Sequence, residues 1–225
     1  MRIKLLLTPN LTIVPFSYQH HVIGVFHRWL GENELHDGTS LYSLGWLSHG
    51  RMVNGAGFVY PKGAEWEVSF HDTATAMHFI ERVNTDQAFA FGMRVRKIEV
   101  TPAPSFSSTY RFGFNSPILV RKDTENGQKL HLSYEDSEAD ELLTKTFRHK
   151  MRLAGLDGTH LESWMGFDRS YPKARTKVVS IKDIQHKANQ CPVIVMGTPE
   201  AVRFAWEVGA GQLTGSCFGQ LKTTA

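Results

Sequence analysis

The sequence predicts an α+β protein made of two similar units in tandem. Segments with apolar residues at helical spacing alternate with segments in which apolar residues recur at every second position. Across residues 1–102 the order is strand, helix, strands, helix, strand, and residues 109–225 repeat it. This order is typical of a ferredoxin-like (βαββαβ, RRM-like) unit. We therefore predict two tandem ferredoxin-like domains with a C-terminal glycine-rich loop.

The first unit, residues 1–102, begins with a buried strand and a helix that has one apolar face. Val22, Phe26 and Trp29 lie on that face, and Gly31 is a suitable residue to end the helix. The turn Pro61-Lys62-Gly63 predicts a hairpin. The predicted elements are strand 2–7, helix 18–30, strand 41–47, hairpin strands 58–60 and 66–70, helix 73–83 and strand 93–100.

The second unit, residues 109–225, follows a linker at residues 101–108 that is rich in Pro, Ser and Thr. Thr198 and Pro199 are the expected cap and first residue of its last helix. Arg148, Lys150 and Arg152 are expected to complement the dipole of the preceding helix. The predicted elements are strand 111–121, broken at Asn115-Ser116-Pro117, helix 137–153, strands 177–181 and 193–196, helix 198–206 and a final strand.

Composition excludes several classes of protein. No apolar run approaches the roughly 18 residues of a membrane span. Residues 1–7 resemble a secretion leader, but Thr8-Pro9-Asn10 interrupts the apolar run and no small-residue cleavage site follows, so a strand is predicted. Cys191 and Cys217 provide neither a disulfide framework nor a zinc motif. We therefore expect a cytoplasmic protein that does not enter a membrane.

The net charge of +3 is small, but basic residues are concentrated in one stretch. Lys173, Arg175 and Lys177 alternate, so within a strand they would share one face. A charged edge strand that resists aggregation has this pattern. A surface that follows nucleic-acid phosphates has it too, and the residues alone leave both interpretations open.

The glycine-rich segment, residues 208–219, predicts a backbone that turns sharply and lies close to another group. Gly209, Gly211, Gly215 and Gly219 allow positive φ and leave their amides unshielded, which suits phosphate oxygens. No Lys-Ser/Thr pair follows them, and the segment comes after a helix, so the usual nucleotide motifs do not apply. The segment predicts either contact with a polyphosphate backbone or a loop that only needs tight turns.

Three segments together resemble the CRISPR-associated endoribonucleases that cut repeat RNA out of a long precursor transcript (Cas family six). The first segment is similar to the family's N-terminal strand, helix and catalytic loop. It consists of Val14-Pro15-Phe16-Ser17-Tyr18-Gln19-His20-His21, the helix to Leu30, and Leu35-His36-Asp37-Gly38 before Leu41-Tyr42-Ser43. Ser116-Pro117-Ile118 is similar to the start of the family's second unit. The glycine-rich segment resembles its closing signature of two Gly-x-Gly steps. The chain departs from the family at Cys217, where the second Gly-x-Gly would begin, and at Thr39 and Ser40, near where some members carry a lysine.

The resemblance implies metal-independent cleavage of CRISPR repeat RNA. Such cleavage uses the 2′-hydroxyl of the RNA as nucleophile, requires a base and an acid, and leaves a 2′,3′-cyclic phosphate and a 5′-hydroxyl. By resemblance, His36 matches the catalytic histidine, and His27 lies where some relatives carry a tyrosine thought to take the complementary proton role. From the residues alone, His36 could also be a surface residue of a turn and His27 a partly exposed helical histidine.

The resemblance also implies which residues contact RNA and which partners the chain has. The expected contacts are Lys173, Arg175, Lys177, Gly209, Gly211, Gly215 and Gly219, with His20 and His21, which could instead simply lie on the surface. The histidines lack the spacing of a metal site, so neither a metal nor a cofactor is expected. The expected partner is CRISPR repeat RNA, and a CRISPR effector complex is a second candidate. A non-cleaving RNA-binding subunit of such a complex, with the same double fold, is the alternative function.

Overall fold

The computed structural model describes residues 1–31, 39–53 and 55–224. The strands are β1 (Arg2–Leu7), β2 (Tyr42–Leu44), β3 (Arg51–Val53), β4 (Gly57–Val59), β5 (Glu65–Phe70), β6 (Val95–Thr101), β7 (Thr109–Phe114), β8 (Arg121–Asp123), β9 (Lys129–His131), β10 (Trp164–Phe167), β11 (Arg175–Ile181), β12 (Ile184–Gln190), β13 (Val193–Met196) and β14 (Leu221–Thr223). The helices are α1 (Gln19–Leu30), α2 (Thr73–Thr85), α3 (Glu138–Leu153) and α4 (Pro199–Val208).

Two four-stranded antiparallel sheets form the framework. Their orders are β2-β5-β1-β6 and β10-β13-β7-β14. Counted within its own sheet, each order is second, third, first, fourth strand, and a helix follows the first and the third strand. This topology is ferredoxin-like in both halves and confirms the predicted fold class.

The first sheet and its helices enclose an aromatic core. Phe26 and Trp29 of α1, Trp66 and Phe70 of β5 and Phe79 of α2 are all at most 1% exposed. Gly31 ends α1 with a φ of 74°, and the side chain of Asp72 caps α2 by accepting from the backbone amides of Ala74 and Thr75. The local signals in the sequence therefore identified both helices of this unit.

The hairpin predicted between residues 58–60 and 66–70 is wrong. Phe58 of β4 pairs with Met52 of β3, whereas Trp66 of β5 pairs with Leu5 of β1. The turn at Gly63 does form, with its amide donating to the carbonyl of Tyr60 at 2.9 Å. The strand after it enters the sheet interior because its apolar residues are buried there, and this distant pairing leaves no local signal.

The second sheet packs against α3 and α4 around Phe112, Phe147, Phe204 and Trp206. Thr198 caps α4 by accepting from the amide of Ala201, as predicted. Several elements were not predicted: β10, β12 and the β8–β9 hairpin. The basic stripe also differs from the prediction, because Lys173 lies in the turn before β11. Arg175 and Lys177 do belong to β11, which pairs with β12 in a two-stranded sheet.

Buried polar contacts join the two halves. The guanidinium of Arg2 donates to the carbonyls of Trp206 at 3.0 Å and Leu221 at 2.6 Å. The side-chain amide of Gln220 donates to the carbonyls of Ser43 and Glu67 at 2.9 and 3.0 Å. These donors satisfy carbonyls that would otherwise be buried without partners. Across the described ranges, no helix is long and apolar enough to cross a membrane.

Candidate functional site

The glycine-rich segment begins where α4 ends and doubles back on itself. Gly209, Gly211 and Gly219 have φ values of 76°, 73° and 64°, which L side chains rarely adopt. The amide of Ala210 donates to the carbonyl of Gly219, and the amide of Gly219 donates to the carbonyl of Pro117, both at 2.8 Å. A Cβ at Gly219 would overlap the carbonyl oxygen of Ala210. Glycine is therefore required here because two backbones approach closely.

The sequence left two interpretations of this segment open, and the burial of its glycines favours a loop that needs tight turns. Gly209, Gly211, Gly215 and Gly219 are all buried. The amide of Gly209 donates to the carbonyl of Ala205 at 2.9 Å, so it remains in the helix-end hydrogen-bond pattern. The physical reason is that positive φ and the absence of a side chain allow protein carbonyls, as well as phosphates, to approach closely. Leu213, at 36% exposed, is the part of the segment that faces solvent most openly.

The segment packs against residues 40–42 of the first unit. A Cβ at Gly215 would lie 2.5 Å from the hydroxyl of Ser40 and 2.8 Å from the ring of Tyr42. The hydroxyl of Thr214 donates to the carbonyl of Tyr42 at 2.8 Å. Ser40 and Tyr42 follow the predicted catalytic loop in the chain, and His36 of that loop lies outside the described residues. The glycine-rich segment thus meets the first described residues that follow that loop in the chain.

The predicted histidines of α1 are divided along the helix. His20 and His21 lie at its start, with ring centres 3.9 Å apart, and Nδ1 of His20 is 2.9 Å from the carbonyl oxygen of Ser17. Partial burial, and then the neighbouring His20, lower the pKa of His21. His27 is half-buried, two turns further along, about 10 Å in the direction of the helix axis. The structure therefore does not gather these three histidines into one cluster.

A cleft of about 830 Å³, here called the loop cleft, opens beside the contact between the glycine-rich segment and residues 39–40. Its other walls are β8 and one side of α3, from Glu138 to Lys150. Four Lys or Arg residues line it against two acidic residues, a formal excess of two positive charges. The charged and titratable residues of the wall are Arg121, Lys122, Asp123, Glu138, Lys145, His149 and Lys150. This excess favours a polyanion.

Within the loop cleft, Lys122 forms an ion pair, whereas the described partner of Arg121 is a neutral amide oxygen. Nζ of Lys122 lies 2.5 Å from a carboxylate oxygen of Glu138, so this lysine is already paired. The guanidinium of Arg121 donates to the side-chain oxygen of Gln212 at 3.1 Å, and burial lowers its pKa. Arg121 thus links the β8 wall to the glycine-rich segment and keeps a charge that no carboxylate of the described residues pairs within 4.0 Å.

A second groove, of about 430 Å³, here called the aromatic groove, separates β11 from the first unit. Nζ of Lys177 lies 4.9 Å from the centre of the Trp46 ring, a cation–π distance. Partial burial, and then the nearby Arg175, lower the pKa of Lys177. Trp46 in turn donates from its indole to the carbonyl of Cys217 at 2.9 Å. Of the predicted basic stripe, Lys177 is the member that joins the inter-unit surface. Arg175 instead donates to the side chain of Gln190 at 2.8 Å.

Sequence reasoning missed Lys150, which it assigned to the dipole of its own helix. The ammonium of Lys150 instead donates to the last carbonyl of α4, that of Val208, at 3.1 Å. A signal was present: Lys150 comes seven residues after Leu143 and three after Phe147, both buried, so it lies on the apolar face of α3. A lysine on such a face is buried, and its ammonium then needs a specific hydrogen-bond partner.

The described ranges contain no group of three or more His, Cys, Asp and Glu placed to hold a metal ion.

Comparisons with known proteins provide an independent test. A family model described as "CRISPR associated protein Cas6, C-terminal" matches residues 101–223. No curated protein matches the chain. A solved structure described as a Cas6-related gene product from Pyrococcus furiosus is 18% identical, covers 100% of this chain and 98% of its own, and has a TM-score of 0.87.

Two further solved structures agree with the first in fold. One, described as a RAMP protein binding different RNA substrates, is 19% identical with a TM-score of 0.87 and covers 100% of both chains. Another, described as CRISPR associated protein Cas6, is 20% identical with a TM-score of 0.83 and covers 100% of this chain and 99% of its own. At these identities the similarity establishes the fold.

Proposed function

The chain belongs to the Cas6 family of CRISPR-associated proteins, and we propose that it is a metal-independent endoribonuclease that cuts repeat RNA in the CRISPR precursor transcript. In the proposed reaction the 2′-hydroxyl beside the scissile phosphate attacks the phosphorus. The 5′-oxygen leaves with a proton, so the products carry a 2′,3′-cyclic phosphate and a 5′-hydroxyl.

One observation carries this proposal: the glycine-rich segment contacts Ser40 and Tyr42, directly after the predicted catalytic loop. This contact closes one side of the loop cleft, which has an excess of basic residues. An RNA backbone in the cleft would therefore pass beside Thr39 and Ser40, which follow His36 by three and four residues in the chain. General acid–base cleavage of RNA requires a surface that attracts the phosphate close to a proton-transfer residue.

In the proposed mechanism His36 is the principal proton-transfer residue and His27 its partner. Imidazole suits both proton roles because its ordinary pKa lies close to neutral pH. His27 belongs to α1, and this helix is followed directly by the segment that contains His36. Helix and loop would thus supply the two groups from consecutive parts of the chain.

We propose that RNA is held mainly through its phosphates, on both sides of the contact between the units. The loop cleft would bind the backbone near the cut, and Lys177, with Lys173 and Arg175 preceding it, would extend the contact along β11. Trp46 is exposed enough to line the aromatic groove beside Lys177, where an unpaired base can stack. The glycines would contribute by shaping the segment, and His20 and His21 would extend the contact at the start of α1. A CRISPR effector complex is the proposed second partner.

A non-cleaving RNA-binding protein is the second candidate. The observation that favours it is the pair Thr39 and Ser40, near where some members of the family carry a lysine. Without a cation in that position, the charge that develops on the phosphorane would need another donor. This candidate predicts tight binding of repeat RNA without any product.

The deciding experiment incubates the protein with repeat RNA from its source in excess EDTA. A matched RNA carries a single 2′-deoxy nucleotide before the cut. We expect one discrete cut that survives EDTA and disappears with the 2′-deoxy substitution. His36→Ala should slow it by about 10²- to 10⁴-fold, whereas His78→Ala, at an exposed position of α2, should leave the rate unchanged. Binding without a cut would favour the second candidate, and a cut that EDTA abolishes would contradict the metal-independent mechanism.

A further inference from the structure

Lys150 is a buried cation of the second unit that the proposed mechanism does not use. It lies on the apolar face of α3 and is 2% exposed. Its ammonium donates to the carbonyl of Val208 at 3.1 Å and to the hydroxyl of Thr214 at 2.8 Å. Both acceptors are neutral. Among the described residues, no carboxylate lies within 4.0 Å of this ammonium.

An ammonium in this position is energetically unusual. Burial without a counter-ion disfavours the charged form, and burial accordingly lowers the pKa of Lys150 to about 7. An ammonium has three N–H donors, of which the described contacts use two. Within the described residues the group therefore has neither a negative partner nor an acceptor for its third donor.

The position of Lys150 connects it to β2 of the first unit. Thr214, which accepts from Lys150, donates its own proton to the carbonyl of Tyr42 at 2.8 Å. A chain of hydrogen bonds thus runs from α3 through the glycine-rich segment to β2. Lys150 and Thr214 both line the loop cleft, together with Thr39 and Ser40.

We propose that Lys150 is the cation of a phosphate subsite in the loop cleft, where an RNA phosphodiester supplies the counter-ion and the acceptor that the described part of the chain does not provide. This inference rests on the proposed function in taking RNA as the ligand, but it does not depend on cleavage. Arg121, which no carboxylate of the described ranges pairs either, faces the same cleft and would share the phosphate.

A consequence is that RNA binding takes up a proton. In the free protein a lysine with a pKa of about 7 is partly neutral at physiological pH. A bound phosphate favours the charged form, so the pKa rises in the complex and affinity falls as pH increases. For one linked proton the dissociation constant increases by up to about tenfold per pH unit above the free pKa.

The other titratable groups that face the cleft have to be separated from Lys150. They are Arg121, Lys122 and Asp123 on β8, and Glu138, Lys145 and His149 on α3. Of these, His149 is the histidine, the residue type that commonly gives a proton linkage between pH 5 and 8. It is therefore the matched control.

The test measures the affinity for 2′-deoxy repeat RNA, which is not cut, from about pH 6 to about pH 8.5, for the wild-type protein and for Lys150→Met and His149→Gln. We expect the affinity of the wild type and His149→Gln to fall more steeply with pH than that of Lys150→Met. The slope that remains in Lys150→Met belongs to the histidines that we also place on the RNA, such as His20 and His21. At about pH 6 the Lys150→Met complex should be weaker by about 10- to 100-fold, since a charge-assisted hydrogen bond is lost. A slope as steep in Lys150→Met as in the wild type, or as shallow in His149→Gln as in Lys150→Met, would overturn the proposal.

A second measurement uses the wild-type protein alone, so its result does not depend on whether a variant folds. The ammonium of Lys150 can be titrated by NMR in the wild-type protein, with and without the 2′-deoxy RNA. Its pKa should rise on binding, and an unchanged pKa would contradict the proposal. Cleavage of the all-ribose RNA is scored separately. Binding that depends on pH but yields no product would refute the proposed nuclease activity and support the phosphate subsite. Cleavage with an affinity independent of pH would support the nuclease activity and refute the subsite.

Discussion

Replacement of Gly219 by alanine tests whether the glycine-rich segment serves close backbone packing. Gly219 has a φ of 64° and is buried between Ala210 and Pro117, with hydrogen bonds of 2.8 Å to each. Gly155, just after α3, is the matched control. Its φ is 76°, but a Cβ there would meet nothing within 4 Å. Both substitutions place an alanine in left-handed backbone, but only the one at Gly219 also brings its Cβ into steric overlap with another residue.

The magnitude follows from these contacts. Left-handed backbone costs an alanine about 1–2 kcal/mol, at both positions. At Gly219 the new Cβ would also lie 3.0 Å from the carbonyl carbon of Ala210 and overlap its oxygen. Relief of that overlap requires breaking buried hydrogen bonds, at about 1–3 kcal/mol for each unsatisfied group. We therefore expect Gly219→Ala to lower the free energy of unfolding by about 4 kcal/mol, against about 1 kcal/mol for Gly155→Ala.

Urea unfolding of the two variants and the wild type measures this difference directly. The slope of free energy against urea should be similar in all three proteins, so that the midpoints report stability. Equal losses for Gly219→Ala and Gly155→Ala would refute the argument. The segment would then need only conformational freedom, and its amides would be free to take the phosphate role that the sequence suggested.

Two other substitutions probe the contact between the units. Arg2→Met removes donors to Ser69, Trp206 and Leu221, and should lower the free energy of unfolding by about 3–5 kcal/mol in the same urea assay. Arg96→Met, at an exposed position, should change it by at most about 0.5 kcal/mol, and similar losses in both would argue against a buried role for Arg2. Lys177→Met should weaken binding of repeat RNA and reduce the slope of log affinity against log salt by about one. A slope unchanged in a salt titration would show that Lys177 makes no phosphate contact.

Local patterns in the sequence predicted the helices and the topology well. Apolar spacing along α1 and the caps Asp72 and Thr198 are properties of neighbouring residues, so the sequence contains their full signal. The strand pairs were harder. Phe58 and Trp66 are close in sequence and suggested a hairpin, but their partners Met52 and Leu5 are determined by which strand face is buried. The tertiary structure decides which strands pair, and the alternation of apolar and polar residues within one strand does not identify its partner.

The candidate site shows the same division more sharply. The glycines predicted positive φ values, and the structure has them at Gly209, Gly211 and Gly219. It was not evident from the sequence that carbonyls of Ala210 and Pro117 would occupy the space expected for phosphate. The roles of His36 and His27 stay predictions, tested by the cleavage experiment.

The sequence by itself determined the helices, the double ferredoxin-like fold class and the resemblance to a family, because each of these depends on the identity and spacing of residues near one another. The tertiary structure alone decided what surrounds each functional candidate. The acceptors of Lys150 belong to residues 58 and 64 positions further along the chain, and the indole of Trp46 meets a carbonyl 171 positions away. Burial and partners over such separations follow from the packing of the two units against each other, and that packing sets the charge and the hydrogen bonds of the site.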